Sequence, residues 1–206
     1  MRVLVQKYKK SINNATFTDE QIKIIWDFYV TKSLVADTSQ KRSIQNDYGK
    51  QKIPWKEMLE KAGISEKNIK ILLADTIEKT LEKFDLIIKK KSGNNSLEKD
   101  IEIDIPKIIC SKPFTIKDED EPKAKDNMGD ADIVLRHIRN AFAHGNTYFF
   151  DNGNVMFEDK NNRTITARII LRQQTLLDWI SIIDDKQKYY IIRDAKIEKD
   201  NSSIQP

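Results

Sequence analysis

Leu135–Asn146 reads LRHIRNAFAHGN, and this one segment carries both histidines of the chain, two arginines and an asparagine. At about 100° per residue, Ala131, Val134, Leu135, Ile138 and Phe142 gather on one side of a helical wheel, which predicts an amphipathic helix with that side against a core. His137, Asn140 and His144 fall on the other side, within roughly a 60° sector. Arg139 lies at the flank of that sector, about 140° from His144 on the same wheel, a gap that a guanidinium on a long stem can cross. Arg136 is the further cation of the segment. Gly145 suits the left-handed position that ends a helix, which places His144 in the last turn, where the helix dipole favours a cationic side chain.

A histidine titrating near neutrality serves as general acid or base. Arg139 stays charged and presents a fork that fits phosphate oxygens. Together they suit attack of a ribose 2′-hydroxyl on the adjacent phosphate. Because a helix C-terminus repels anions, the arginine has to supply the attraction that a helix N-terminus would otherwise give. An arginine and a histidine so spaced also occur in helices that use neither, and there the histidine is a structural one.

The run RNAFAH at 139–144 has asparagine directly after the arginine and the histidine four residues further on. It sits on an amphipathic helix with a second histidine seven residues back. This resembles the signature of the HEPN domains, a helical superfamily rich in metal-independent ribonucleases of bacterial defence and toxin–antitoxin systems. The match is close over Leu135–Asn146 and agrees in outline beyond it. The resemblance implies an endoribonuclease with no cofactor and no metal. In it Arg139 stabilises the charged phosphorane, His144 transfers protons to leave a 2′,3′-cyclic phosphate, and Asn140, His137 and Arg136 support the site or bind substrate. It further implies RNA as the partner and a homodimer whose two motif helices build one cleft, with an antitoxin or regulatory partner left open. The alternatives are a non-catalytic HEPN-like module that binds a nucleotide, RNA or a protein, and a purely structural helical adaptor.

Length and composition bound these readings. With 206 residues, 39% of them hydrophobic, one domain over residues 1–195 and a disordered tail at 196–206 are expected. The net charge of +4 mildly favours a polyanionic partner. Basic residues crowd into 1–52 (Arg2, Lys7, Lys9, Lys10, Lys41, Arg42, Lys50 and Lys52 among them), against an acidic run at Asp118–Glu121. The basic segment either touches RNA or forms a solvated face. The single cysteine, Cys110, excludes an intramolecular disulfide and a cysteine-based zinc cluster. His137 and His144 are seven apart with Asp130 one heptad further back, which makes no metal motif. With no signal-peptide core and no stretch of membrane-spanning length, a cytoplasmic protein away from membranes is expected.

The remaining pattern predicts a mainly α fold, an up-and-down bundle of four to five helices. Thr18 and Gln21 form a capping box for a helix to about Asp37. Pro54 opens a short helix closed by Gly63. Ile69, Leu72, Leu73, Ile77, Leu81, Phe84 and Ile88 trace a long helix capped by Ser65. Residues 92–127 read as a long insertion with a short strand at 101–105; it either closes over substrate or packs Ile108, Ile109 and Phe114 on the core. After the motif helix, Asn152-Gly153 marks a hairpin, and 147–170 read as a small antiparallel β-meander. Its Tyr148, Phe149 and Phe150 either stack bases or pack. A last helix, about Gln173–Asp185, uses Trp179 as an anchor.

Overall fold

The structure, a computed structural model, describes residues 2–4, 15–35, 39–73, 76–84, 86, 100–102, 106–112, 114–117, 121–124, 129–150 and 153–193. The expected tail at 196–206, residue 152 of the hairpin turn and most of the acidic run lie outside them. In chain order the described strands are β1 (Arg2–Leu4), β2 (Ile69–Leu73), β3 (Asp100–Glu102), β4 (Lys107–Lys112), β5 (Phe114–Lys117), β6 (Glu121–Ala124), β7 (Thr147–Phe149), β8 (Asn154–Asn161) and β9 (Thr164–Arg172). The helices are α1 (Asp19–Trp26), α2 (Trp55–Ala62), α3 (Ile77–Lys83), α4 (Asp130–Ala143) and α5 (Gln173–Ile183), with a π-helical turn, Asp27–Thr31, continuing α1.

Five strands form one mixed sheet in the order β2-β4-β9-β8-β7. β2 and β4 are parallel and the other neighbours antiparallel. The mainly α bundle with an appended meander expected from the sequence is therefore incorrect. Two stretches account for the difference. Ile69–Leu73, read as the start of a long helix, is an edge strand of the sheet. A five-residue stretch with four apolar residues, IKILL, is too short to distinguish helix from strand by period, and Ile69 and Ile71 are β-branched. Ser65 opens only a short 3-10 turn, Glu66–Asn68, and the helix expected there shrinks to α3. Lys107–Lys112, placed by sequence in an insertion, is an interior strand between β2 and β9.

Alternate residues of these strands enter two separate cores, because successive side chains of a strand point to opposite faces. Ile108, Cys110, Val155, Phe157, Ala167, Ile169 and Leu171 pack with α1, α2, α4 and α5. Ile109, Met156 and Ile170 pack on the other face with Ile77 and Leu81 of α3. A sheet covered on both faces needs continuous apolar runs such as IIC at 108–110 and IIL at 169–171 instead of alternation, a pattern normally associated with α/β architecture.

Local signals hold where they are chemically specific. Thr18 and Gln21 make both hydrogen bonds of the capping box. Gly63 ends α2 at φ 65°, and Gly153 turns the hairpin at φ 77°. Trp179 is fully buried and its indole N–H donates to the Met58 carbonyl at 2.8 Å, tying α5 to α2. Cys110 is fully buried, and burial pushes its thiol well up. No helix among the described residues is long and apolar enough to cross a membrane.

Candidate active site at the end of helix α4

Two surfaces cover α4. The sheet, through β8 and β4, lies along one side and the π-helical turn after α1 along another. Ala131, Ile133, Val134, Leu135, His137, Ile138 and Ala141 are consequently buried. Arg136, Arg139 and Asn140 remain partly exposed, and Ala143 and His144 exposed. At 100° per residue Arg136, Arg139, Asn140 and Ala143 form one outward stripe leading towards His144.

The helix ends in a Schellman motif. Gly145, at φ 65°, donates its N–H to the Phe142 carbonyl at 3.1 Å, and Asn146 donates to the Ala141 carbonyl at 2.8 Å. The Asn146 carbonyl in turn accepts the Glu158 N–H at 3.0 Å, fastening the helix end to β8. His144 is the C-cap of this turn. Its ring makes no hydrogen bond among the described residues, and it stands in solvent with backbone carbonyls behind it.

His137 does not share that setting. The wheel places it with Asn140 and His144 on the side away from the core, yet it is only 7% exposed. Its Nδ1 lies 2.7 Å from Oδ2 of Asp159 on β8, and its Nε2 lies 3.0 Å from the Ser111 carbonyl on β4. Both partners are acceptors, so both bonds form when both ring nitrogens carry protons. A wheel divides a helix into one apolar and one polar side; α4 is packed from two directions, and its polar sector meets a polar spot on the sheet.

The same Asp159 oxygen accepts from Asn140 Nδ2 at 3.1 Å, and Asn140 Oδ1 accepts from Arg139 Nη1 at 3.3 Å. Arg139 Nε is buried and has no partner among the described residues. The structure thus links His137, Asn140 and Arg139 through Asp159, and leaves His144 unbonded at the helix end. Arg136 flanks the stripe one turn before Arg139. Burial raises the Asp132 carboxyl, and backbone hydrogen bonds at Gly129 and Asp132, then the charges of Arg136 and Lys41, oppose that rise.

Sequence reading missed Asp159 and placed Trp26, with Ile22, Ile25 and Tyr29, on the core stripe of the first helix. Asp159 had a usable signal, since alternation along β8 puts it on the face of Val155 and Phe157. Trp26 is 46% exposed and meets Phe142 edge-on, with ring centres 6.4 Å apart, beside the Arg139 turn. The hairpin aromatics are packing residues: Phe150 is buried, Phe149 meets Phe17, and Tyr148 lies against the α3 core. Part of the basic segment is also structural. The Arg42 guanidinium lies 3.4 Å over the Tyr189 ring, and Lys50 pairs with Asp185 at 2.7 Å.

The family model described as HEPN pEK499 p136 matches residues 38–190, a span that contains α4, the whole five-stranded sheet and α5. The chain belongs to this HEPN family. HEPN domains serve as nucleases or nucleotide-binding modules, and the chain falls in that general class. Comparison with curated proteins and with solved structures gives no match. In this HEPN protein the RNAFAH run occupies the last two turns of α4, with Arg139 on the helix and His144 at its cap.

Proposed function

We propose that this HEPN protein is a metal-independent endoribonuclease, acting in the cytoplasm in a defence or toxin–antitoxin setting, with Arg139 and His144 as its catalytic residues. The observation that carries the reading is the Arg139 guanidinium. It is anchored at one nitrogen by Asn140 and has a buried Nε with no partner among the described residues, about one and a half turns from an exposed histidine. A buried donor without a partner costs about 1–3 kcal/mol, a cost that a bound phosphate oxygen would remove.

In the proposed reaction His144 takes the proton of a ribose 2′-hydroxyl, the 2′-oxygen bonds to phosphorus, and the bond from phosphorus to the 5′-oxygen breaks. The departing 5′-oxygen collects a proton, and the products are a 2′,3′-cyclic phosphate and a 5′-hydroxyl. Arg139 offsets the extra charge of the phosphorane. One histidine is sparse for two proton transfers. A twofold dimer that brings a second His144 and Arg139 to the same cleft supplies the missing group, and twofold dimers are the commonest closed assembly.

Incubating the purified protein with mixed RNA in excess EDTA tests the reaction. The expected products carry 2′,3′-cyclic phosphate and 5′-hydroxyl ends. An intact RNA pool, or cleavage that needs added magnesium, contradicts the reading, and nucleotide or RNA binding without cleavage supports a non-catalytic module instead. Sedimentation tests the assembly, with specific activity expected to fall on dilution below the dimer dissociation constant.

A further inference from the structure

Asp159 lies where the register between β8 and β9 shifts, between Asp159 and Lys160, and only 6% of it is exposed. Its Oδ1 accepts the Lys160 N–H at 2.9 Å. Its Oδ2 accepts from both His137 Nδ1, at 2.7 Å, and Asn140 Nδ2, at 3.1 Å. An irregular strand commonly re-aims a side chain, and here the aim is onto the inner edge of α4.

We propose that Asp159 is a positioning residue for Arg139, acting through the amide of Asn140, with His137 as the hydrogen-bond partner that holds Asp159 in place. The proposal rests on the reading of Arg139 as the phosphate-binding group. An ionised carboxylate only accepts hydrogen bonds, so it fixes which end of the Asn140 amide faces inward. The NH2 end points at Asp159 and the carbonyl is left facing Arg139 Nη1, 3.3 Å away. Residues adjacent on a helix do not face one another unaided; an amide held at its far end makes the Arg139–Asn140 contact possible. With Nη1 so held, Nε and the other guanidinium hydrogens point in a direction set by the sheet and not by the free rotation of a surface arginine. His137, bonded also to the Ser111 carbonyl at 3.0 Å, locks the carboxylate from the other side. The chain of contacts runs from β4 through His137, Asp159 and Asn140 to Arg139.

Asp159→Asn keeps the shape and removes the acceptor-only character, so the Asn140 amide is free to turn over and present NH2 to the guanidinium. The expected result is a fall in kcat of about 10–100-fold, the scale of small misplacements at a reacting centre, with KM changed less than about twofold. Asn140→Ala breaks the same chain at its exposed end; it takes one donor from the buried carboxylate but leaves those from His137 and the Lys160 N–H in place, and it is expected to give the same loss. Either substitution placed on Arg139→Ala should add nothing further; a role confined to stability would lower activity in both backgrounds. Independent losses, or unchanged kcat in Asn140→Ala, overturn the proposal.

An NMR measurement separates this from failure of the ribonuclease reading. The Nε–H signal of Arg139, assigned by its loss in Arg139→Lys, should report a rigid side chain in the native protein and a mobile one in Asp159→Asn and Asn140→Ala. If Arg139→Ala cleaves RNA normally, the catalytic reading falls, while the NMR result still decides whether Asp159 orders the arginine. An equally mobile Arg139 in all three proteins refutes the positioning role.

Discussion

His137 and His144 sit two turns apart on one helix, close together on its wheel, and meet opposite surroundings. The first is wedged between β8 and β4 with both ring nitrogens bonded; the second caps the helix, exposed, with neither bonded among the described residues. The boundary falls at Asn140, whose amide touches the buried carboxylate on one side and Arg139 on the other. Beyond it the chain turns away through Gly145 towards β7. Identical side chains are thus divided between structure and proposed chemistry by where the sheet stops covering the helix.

The largest effect on folding belongs to the covered end. His137→Ala takes from the buried Asp159 carboxylate its shortest hydrogen bond, at 2.7 Å, and should cost about 1–3 kcal/mol or more in urea unfolding, a large share of a typical domain's 5–15 kcal/mol. A cost below about 1 kcal/mol would show that the pair does not hold the helix to the sheet. Replacing His137 and Asp159 together with apolar residues of similar volume should cost less than the two single changes added. The thiol of Cys110 gives an independent view. Burial pushes it up and closes it off, and it neighbours the Ser111 carbonyl bonded to His137. It should resist alkylation in the native protein and react measurably faster in His137→Ala; equal rates would separate that part of β4 from the His137 anchor.

Gly145→Ala probes the boundary. A Cβ at φ 65° costs roughly 1–2 kcal/mol, lowers the melting temperature by several degrees, and displaces His144 at the Schellman turn. RNA cleavage should fall with it, and full cleavage in the destabilised variant would show that the turn does not position the histidine. The smallest stability effect is expected at the open end. His144→Ala should change unfolding by no more than about 0.5 kcal/mol, because its ring has no bond to lose; a cost comparable to that of His137→Ala would erase the distinction between the two ends.

Features coded by neighbouring residues were legible in the sequence: the Thr18–Gln21 box, the glycines ending α2 and α4, the hairpin at Gly153, and Trp179 as an anchor. Features created by the sheet were not. Ile69–Leu73 has the spacing of a helix and becomes a strand because a parallel neighbour, Lys107–Lys112, comes from a stretch with no strong local signal. The mixed sheet was missed with it. Of the candidate site, Arg139, Asn140 and His144 lie on or at the end of the helix foreseen for them. The burial of His137 depends on Asp159 and Ser111, which are 22 and 26 residues away, and no helical wheel contains them.

On the proposed function, the open end of α4 carries metal-independent RNA chemistry. The most direct measurement is the single-turnover cleavage rate of a single-stranded RNA in EDTA, comparing the native protein with His144→Ala at equal folded fractions. A loss on the order of 10²-fold or more, with an unchanged melting temperature, is the predicted result. An undiminished rate in His144→Ala would contradict the account and move the chemistry elsewhere in the protein.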